Sequence, residues 1–316
     1  MKRALIIAAI MSGILSIALV IATMLGAERL TLFDLSEQQR SILFEIRLPR
    51  ILLGACVGAS LAIAGAGLQA LLRNPLAEPY LLGVSNGAAL GTMLAFVAFD
   101  QVELARPVLA FAGAGLASVA VYQMARSRAG MNVERLVLSG VIVTTFLSSV
   151  IVMLTTLLDA AKLRSFTFWL LGDLSQGSWN GVYMSAAAAL IGTVILTSQS
   201  RALNLMMVGE RDALDFGVEV GRVRLLVFGS ASLVVGAAVA ASGSVGYVGL
   251  IVPHLIRMSV GSDNRLVVPF SALGGAAFVV LADTVARTAI APRELPVGAI
   301  TALIGAPLFV LLLRKG

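Results

Sequence analysis

The chain has 316 residues, of which 59% are hydrophobic and 13% are charged, and its mean hydropathy is +0.96. Soluble globular domains carry about 25% charged residues, so this composition excludes an ordinary soluble domain and indicates a membrane protein with several spans. The formal net charge is +6, which an excess of basic residues in cytoplasmic loops explains without a nucleic-acid partner. Cys56 is the only cysteine, so no intrachain disulfide can form.

The first uncharged run, Ala4–Ala27, follows Lys2 and Arg3. A basic start before an apolar run is also typical of a secretory signal peptide. This run has 24 residues, whereas the apolar core of a signal peptide has roughly 7–15. We therefore expect a first membrane span that is retained in the mature protein.

Eight further uncharged runs follow along the chain. They are Ile51–Leu72, Pro79–Phe99, Pro107–Ala125, Leu136–Leu158, Leu174–Ser200, Leu225–Ile256, Leu266–Ala282 and Leu295–Leu313. Leu225–Ile256 has 32 residues, more than the roughly 20 that one span needs, and the sequence Ser-Gly-Ser at 242–244 marks a turn inside it. The pattern therefore predicts ten spans.

An even number of spans places both termini on the same side of the membrane. Lys2, Arg3, Arg314 and Lys315 make both ends basic, which favours the cytoplasm. In that orientation 14 of the 23 basic residues lie on the cytoplasmic side. The predicted outer loops include the long one from Glu28 to Arg50.

Motifs for chemistry are missing from the sequence. No lysine stands in the G-x-x-x-x-G-K-[ST] pattern of a P-loop, so ATP would have to bind to another chain. Gly83–Gly87 matches G-x-S-x-G by letters, but it opens an apolar run instead of a strand–turn–helix. His254 is the only histidine, so a histidine-rich metal site is excluded. The sequence predicts no catalytic residue, no metal site and no cofactor in this chain.

The longest predicted cytoplasmic loop, residues 201–224, is called the coupling segment below. Acidic residues are favourable at the start of a helix, so Glu210, Arg211 and Asp212 can open a short one, which Gly217 can close. Leu214 and Phe216 lie among these charges, and exposed apolar residues rimmed by charges mark contact sites. The alternative is a solvated connector.

The stretch from Arg47 to Gly91 carries a resemblance to a known family. It contains RLPR, a glycine-rich span with Gln69, and RNPLAEPYLLGVSNGA, and later blocks read GYVGLIVPHLIR, LADTVAR and ELPVGAITALIGAPLF. These blocks resemble the FecCD permeases of ABC importers over nearly the whole chain. The resemblance implies an all-α polytopic membrane protein with about ten transmembrane helices per subunit, like the vitamin B12 importer permease. Residues 1–316 would form a single transmembrane permease domain.

The resemblance also implies partners and a cargo. A permease homodimer would work with two ATPase subunits, which hold ATP and Mg, and with a periplasmic or lipid-anchored substrate-binding protein. The location would be the bacterial cytoplasmic (inner) membrane. The cargo would be a metal chelate, namely an iron-siderophore, haem or cobalamin, although some relatives carry molybdate.

Site residues follow from the same resemblance. Arg47, Arg50 and Arg287 match the basic pockets that receive glutamates of the binding protein; interface snorkelling is the alternative. Asp283 stands four residues before Arg287 and is expected to be a paired carboxylate. The cytoplasmic gate and the ATPase contact comprise two further sets. They are Asn74, Pro75 and Leu76 for the gate, with Asn132–Arg135 as a second gate candidate, and Glu210, Arg211, Asp212, Leu214, Phe216 and Gly217 for the contact.

Two other classes of function stay open. An ion-coupled secondary transporter normally buries several ionisable groups in its spans, and these spans are almost free of them. An intramembrane enzyme would need an acid–base pair, for which the sequence offers no plausible candidate. Within the same family, an importer of molybdate or another oxyanion is the alternative to a chelate importer.

Overall fold

The computed structural model describes residues 2–26, 36–99, 102, 104–127 and 130–313, and these residues fold almost entirely into helices. The α-helices are α1 (Lys2–Met24), α2 (Glu37–Ser41), α3 (Leu48–Leu71), α4 (Val84–Ala98), α5 (Ala105–Ala125), α6 (Val133–Thr155), α7 (Ala160–Leu170), α8 (Trp179–Ser198), α9 (Ser200–Val208), α10 (Glu210–Asp215), α11 (Val220–Ser242), α12 (Val248–Val260), α13 (Asn264–Thr288) and α14 (Val297–Leu313). A π-helix covers Ile42–Arg47 and a 3-10 helix covers Pro79–Leu82. Strands β1 (Arg126–Ser127) and β2 (Gly130–Met131) form an antiparallel pair between α5 and α6.

Within the described part of the chain, seven helices are long and apolar enough to cross a membrane. Three shorter apolar helices, α4, α12 and α14, bring the total to ten. The predicted all-α membrane fold with about ten spans is therefore confirmed. Arg29, Arg128, Arg314 and Lys315, which entered the predicted charge bias, lie outside the described residues.

Helix α3 is the central helix of the molecule. It is buried along most of its length and packs against α8, α11, α12 and α13. A Cβ on Gly58 would collide with the carbonyl oxygen of Gly275 in α13, and one on Gly65 with the carbonyl oxygen of Gly249 in α12. Small residues at such contacts let membrane helices pack backbone to backbone, which explains why the glycine-rich span lies at the centre.

Residues 37–50 of the predicted outer loop from Glu28 to Arg50 are helical. Ser36 and Gln39 form a reciprocal capping box, so a helix starts at Glu37 and continues to Leu71. The π-helix precedes Pro49, which has no backbone N–H for the ladder, and local π geometry is one way in which a helix absorbs such a residue. Arg47 and Arg50 consequently lie within a helix.

The predicted span Pro79–Phe99 is also shorter in the structure. Glu78 is extended (φ −113°, ψ 137°), as the residue before a proline prefers, and Gly83 is left-handed at φ +77°. Only α4 continues from there, with 15 residues and a length of about 22 Å. The predicted break at 242–244 is confirmed, because α11 ends at Ser242 and α12 begins at Val248.

Candidate functional site

Two groups of predicted site residues lie at opposite ends of α13. Ser200 of α9 donates a hydrogen bond to the carbonyl of Asn264, the first residue of α13, at 3.1 Å. Arg287 comes 23 residues later on the same helix, about 35 Å further along it. The coupling segment therefore lies near one end of the molecule, and the predicted docking arginines lie near the other.

The arginine cluster consists of Arg47, Arg50, Asp283, Arg287 and Glu294. Arg50 is its most heavily bonded member. Its Nε lies 3.1 Å from both carboxylate oxygens of Asp283, its Nη2 lies 2.8 Å from Asp283 Oδ1, and its Nη1 lies 2.8 Å from Glu294 Oε2. Bonds of this forked kind are charge-assisted and strong. The expected pairing of Asp283 is confirmed.

The other two arginines attach the end of α1 to this cluster. Arg47 Nη1 donates to the carbonyl of Thr23 at 2.8 Å, and Arg287 Nη2 donates to the carbonyl of Ala22. Arg287 Nε also lies 3.7 Å from Asp283 Oδ2. Arg47, Arg50 and Arg287 are only 6%, 8% and 6% exposed, so the chain itself covers all three.

Glu294 is the accessible acid of the arginine cluster, because 46% of its side chain is exposed. Sequence reasoning missed it. Its partner Arg50 is 244 residues away along the chain, and the only local signal was an acidic residue soon after the end of α13. The docking role of the arginines stays a prediction.

The predicted gate residues form a tight, exposed turn after α3. Asn74 Oδ1 accepts from the backbone N–H of Leu76 at 2.9 Å, and the Asn74 carbonyl accepts from Ala77 at 3.1 Å. Asn74, Pro75 and Leu76 are all exposed. The second gate candidate begins at Asn132, which caps α6 through the N–H of Arg135 at 3.0 Å.

The coupling segment contains the short helix that the sequence predicted. α10 runs from Glu210 to Asp215, and Gly217 follows it in the left-handed conformation (φ +78°). Leu214 and Phe216 are 55% and 75% exposed, while Ala213 faces inward. Arg211, Asp212 and Gly217 are exposed as well. The helix therefore presents apolar side chains among charges.

Two polar contacts attach the coupling segment to the rest of the chain. Its last residue, Arg224, donates to the carbonyl of Met131 at 2.8 Å, and within the segment Arg224 also bonds to Glu210 at 2.7 Å. Asn204 of α9 donates to Asp263 at 2.7 Å. Hydrogen bonds from Arg265, together with this one from Asn204, lower the pKa of Asp263 to about 2. The coupling segment is thus linked to β2 and to the residue before α13.

A cavity of about 530 Å³ lies between the end of α3, the second gate candidate and the coupling segment. Residues from four parts of the chain line it, namely Leu71, Arg73, Asn132, Glu134, Glu210 and Arg224. Arg73, which precedes the first gate candidate, the start of α6 and the start of α10 therefore line one cavity. A movement of α10 would change the shape of a cavity that the second gate candidate borders.

Comparisons with known proteins agree with this architecture. The model of the FecCD transport family matches residues 4–315. The chain is 45% identical over 282 residues to the cobalamin import system permease protein BtuC of Halobacterium salinarum, covering 89% of this chain and 76% of that protein. It is 40% identical to the hemin transport system permease protein HmuU of Yersinia pestis, covering 87% and 83%.

A solved structure is similar over almost the whole chain. It is an inward-facing conformation of a metal-chelate type ABC transporter, with a TM-score of 0.89 and 35% identity, covering 97% of this chain and 98% of that one. Family, relatives and structure agree with the apolar, many-helix architecture of the described residues. The chain belongs to the FecCD transport family of ABC importer permeases, and it is a multi-span transport subunit of the inner membrane rather than an enzyme.

Proposed function

We propose that the chain lines the translocation pathway of an ABC importer for a metal chelate, namely an iron-siderophore, haem or cobalamin. The observation that carries this proposal is α10, which exposes Leu214 and Phe216 among charges on a chain with no P-loop of its own. Such a helix fits a contact with a separate subunit that supplies the energy.

The proposed assembly has two copies of this chain and two ATPase subunits, which hold the ATP and Mg. The ATPase would contact Glu210, Arg211, Asp212, Leu214, Phe216 and Gly217. Both termini would lie in the cytoplasm, on the same side as this contact. Residues 1–316 would act as one transmembrane domain, with the coupling segment as its cytoplasmic projection.

The substrate-binding protein would dock at the outer end, on the arginine cluster. Arg50 already holds two carboxylates of this chain, Asp283 and Glu294, which supports a site suited to carboxylates. Glu294 is half-exposed, whereas Asp283 is buried. A glutamate of the binding protein would therefore have to compete with Glu294 for Arg50, while Asp283 stays in place.

The cytoplasmic gate would consist of Asn74, Pro75 and Leu76. The 42% exposure of Leu76 and the cavity beside Arg73 support this role, because a gate needs apolar side chains that can meet across an opening. Asn132–Arg135 borders the same cavity and is the second candidate.

The proposed cargo class rests on the relatives. Cobalamin and hemin, which give two of them their names, are both metal chelates of large flat ring systems. A pathway for either must pass a body far larger than a bare oxyanion such as molybdate.

Uptake into sealed vesicles tests the proposal. The chain would be reconstituted with its ATPase and binding protein and offered cobalamin, haem, a ferric siderophore and molybdate in parallel. We expect uptake of one chelate that requires ATP and both partners. Uptake driven by a proton or sodium gradient without the ATPase would overturn the importer. Uptake of molybdate alone would overturn the cargo class.

A further inference from the structure

Residues 73–83, called the gate segment, bond directly to residues 243–247, called the break, which separate α11 from α12. The Tyr80 hydroxyl accepts a hydrogen bond from the N–H of Val245 and donates one to its carbonyl, both at 2.9 Å. The N–H of Tyr247 donates to Glu78 Oε1, also at 2.9 Å. Two side chains of the gate segment thus satisfy backbone groups that no helix ladder satisfies.

A second set of bonds joins α3, just before the gate segment, to α12, just after the break. Gln69 of α3 donates through Nε2 to the carbonyls of Gly249 at 3.1 Å and Leu250 at 3.2 Å, in the first turn of α12. Its Oε1 accepts from Arg257, which also donates to the carbonyl of Ala66 at 3.3 Å. The end of α3 and the start of α12 are therefore held together next to the gate segment.

The backbone is strained at both segments. Among the described residues, Arg73 and Tyr247 are the non-glycine residues with positive φ, at 50° and 67°. A bulky residue in this region is a genuine outlier, and such outliers persist only where the surroundings hold them. Arg73 is the first residue of the gate segment and Tyr247 is the last residue of the break. The two outliers therefore lie in the two segments that are bonded to each other.

Ser242, the residue before the break, is bonded to another part of the chain. The N–H of Asp173 donates to the carbonyl of Ser242 at 2.8 Å, and the N–H of Val297 donates to the carbonyl of Gly172 at 3.0 Å. Val297 stands three residues after Glu294 of the arginine cluster. The end of α11, next to the break, is thus bonded to residues 172–173, which are bonded in turn to the chain that leaves the arginine cluster.

We propose that Glu78 and Tyr80 are positioning residues that make the gate segment move with the break as one body. A shift of α12 or of residues 171–173 then reaches Leu76 through these bonds instead of being absorbed by a flexible loop. The role of this link in transport rests on the proposed gate. The mechanical link itself depends only on the bonds described above.

Thiol labelling measures this link without any partner protein. The full chain carrying Cys56→Ala and Leu76→Cys would be placed in nanodiscs and reacted with a water-soluble maleimide. Tyr80→Phe removes both bonds to Val245 and is expected to raise the labelling rate at position 76 about fivefold or more. Glu78→Ala should raise it as well. Glu78→Gln should stay within about twofold of the parent, because its amide oxygen still accepts from Tyr247.

Two controls separate the link from general loosening. Tyr183→Phe changes an exposed tyrosine on α8 and should leave the rate unchanged. A thiol at Phe216, on the coupling segment, should react equally fast in the Tyr80→Phe and parent proteins. The proposal would be overturned if Tyr80→Phe and Glu78→Ala both labelled at position 76 at the parental rate. It would also be overturned if the labelling rate at position 216 rose in parallel. A Glu78→Gln labelling rate equal to that of Glu78→Ala would overturn it as well. A failed uptake assay would count against the importer and would leave this measurement intact.

Discussion

The arginine cluster buries its charged side chains, whereas the coupling segment exposes apolar ones. In the arginine cluster, Arg50 is 8% exposed and bonded to Asp283 and Glu294 of the same chain. In the coupling segment, Leu214 and Phe216 are more than half exposed and pack against nothing that would bury them. At one end of the molecule, Arg50 is therefore bonded to carboxylates of the same chain. At the other end, Leu214 and Phe216 are exposed.

This difference predicts two kinds of contact. Exposed apolar side chains can be buried by a partner without first breaking any bond, so a contact at the coupling segment would be preformed. Arg50 can receive a partner's carboxylate only if an internal carboxylate moves away. Docking there would be an exchange of ion pairs, and its affinity should fall as the salt concentration rises.

The largest expected effect comes from removing the buried partner in the arginine cluster. Asp283→Ala leaves Arg50 buried with only Glu294 as an acidic partner, and breaking a buried pair on one side destabilises a protein by about 3–5 kcal/mol. Thermal unfolding of the purified chain in detergent measures the loss. The paired change Arg50→Met with Asp283→Leu should recover only part of it, because it removes one buried charge pair but leaves the buried Arg287 without Asp283. Equal stability of Asp283→Ala and the parent would show that the pair is not what holds this end together.

A smaller effect on stability is expected from a change at Glu294, the half-exposed acid of the arginine cluster. Glu294→Gln keeps an oxygen near Arg50 but removes the competing charge, so stability should fall by no more than about 1 kcal/mol. Affinity for the loaded binding protein should rise severalfold at low salt, and the gain should shrink at high salt. Titration at two salt concentrations measures both. Weaker binding by Glu294→Gln would mean that Glu294 is part of the docking surface and not its competitor.

Local patterns in the sequence were sufficient for part of this picture. The charges at Glu210–Asp212 and the glycine at 217 predicted α10, because helix ends depend on nearby residues. The break near Gly243 followed from run length and turn residues in the same way. The capping box at Ser36 was equally local, but it stood outside the uncharged runs and was overlooked.

The remaining features depend on contacts between distant parts of the chain. Arg50 and Glu294 are 244 residues apart, and Tyr80 and Val245 are 165 apart. No local periodicity encodes which buried polar groups will meet when helices pack. The burial of the arginines and the link from the gate segment to the break could therefore be found only from the structure.

The most direct test of the account is recovery of the ATPase with the tagged permease after Leu214→Asp and Phe216→Asp are introduced together. Both positions are exposed, so the unfolding transition of the chain alone should stay within about 0.5 kcal/mol of the parent. The matched double variant Leu214→Met with Phe216→Leu keeps the apolar surface and should recover the ATPase fully. We expect the double aspartate variant to be folded but to recover almost no ATPase. Parental recovery by that variant would contradict a contact between the coupling segment and the ATPase.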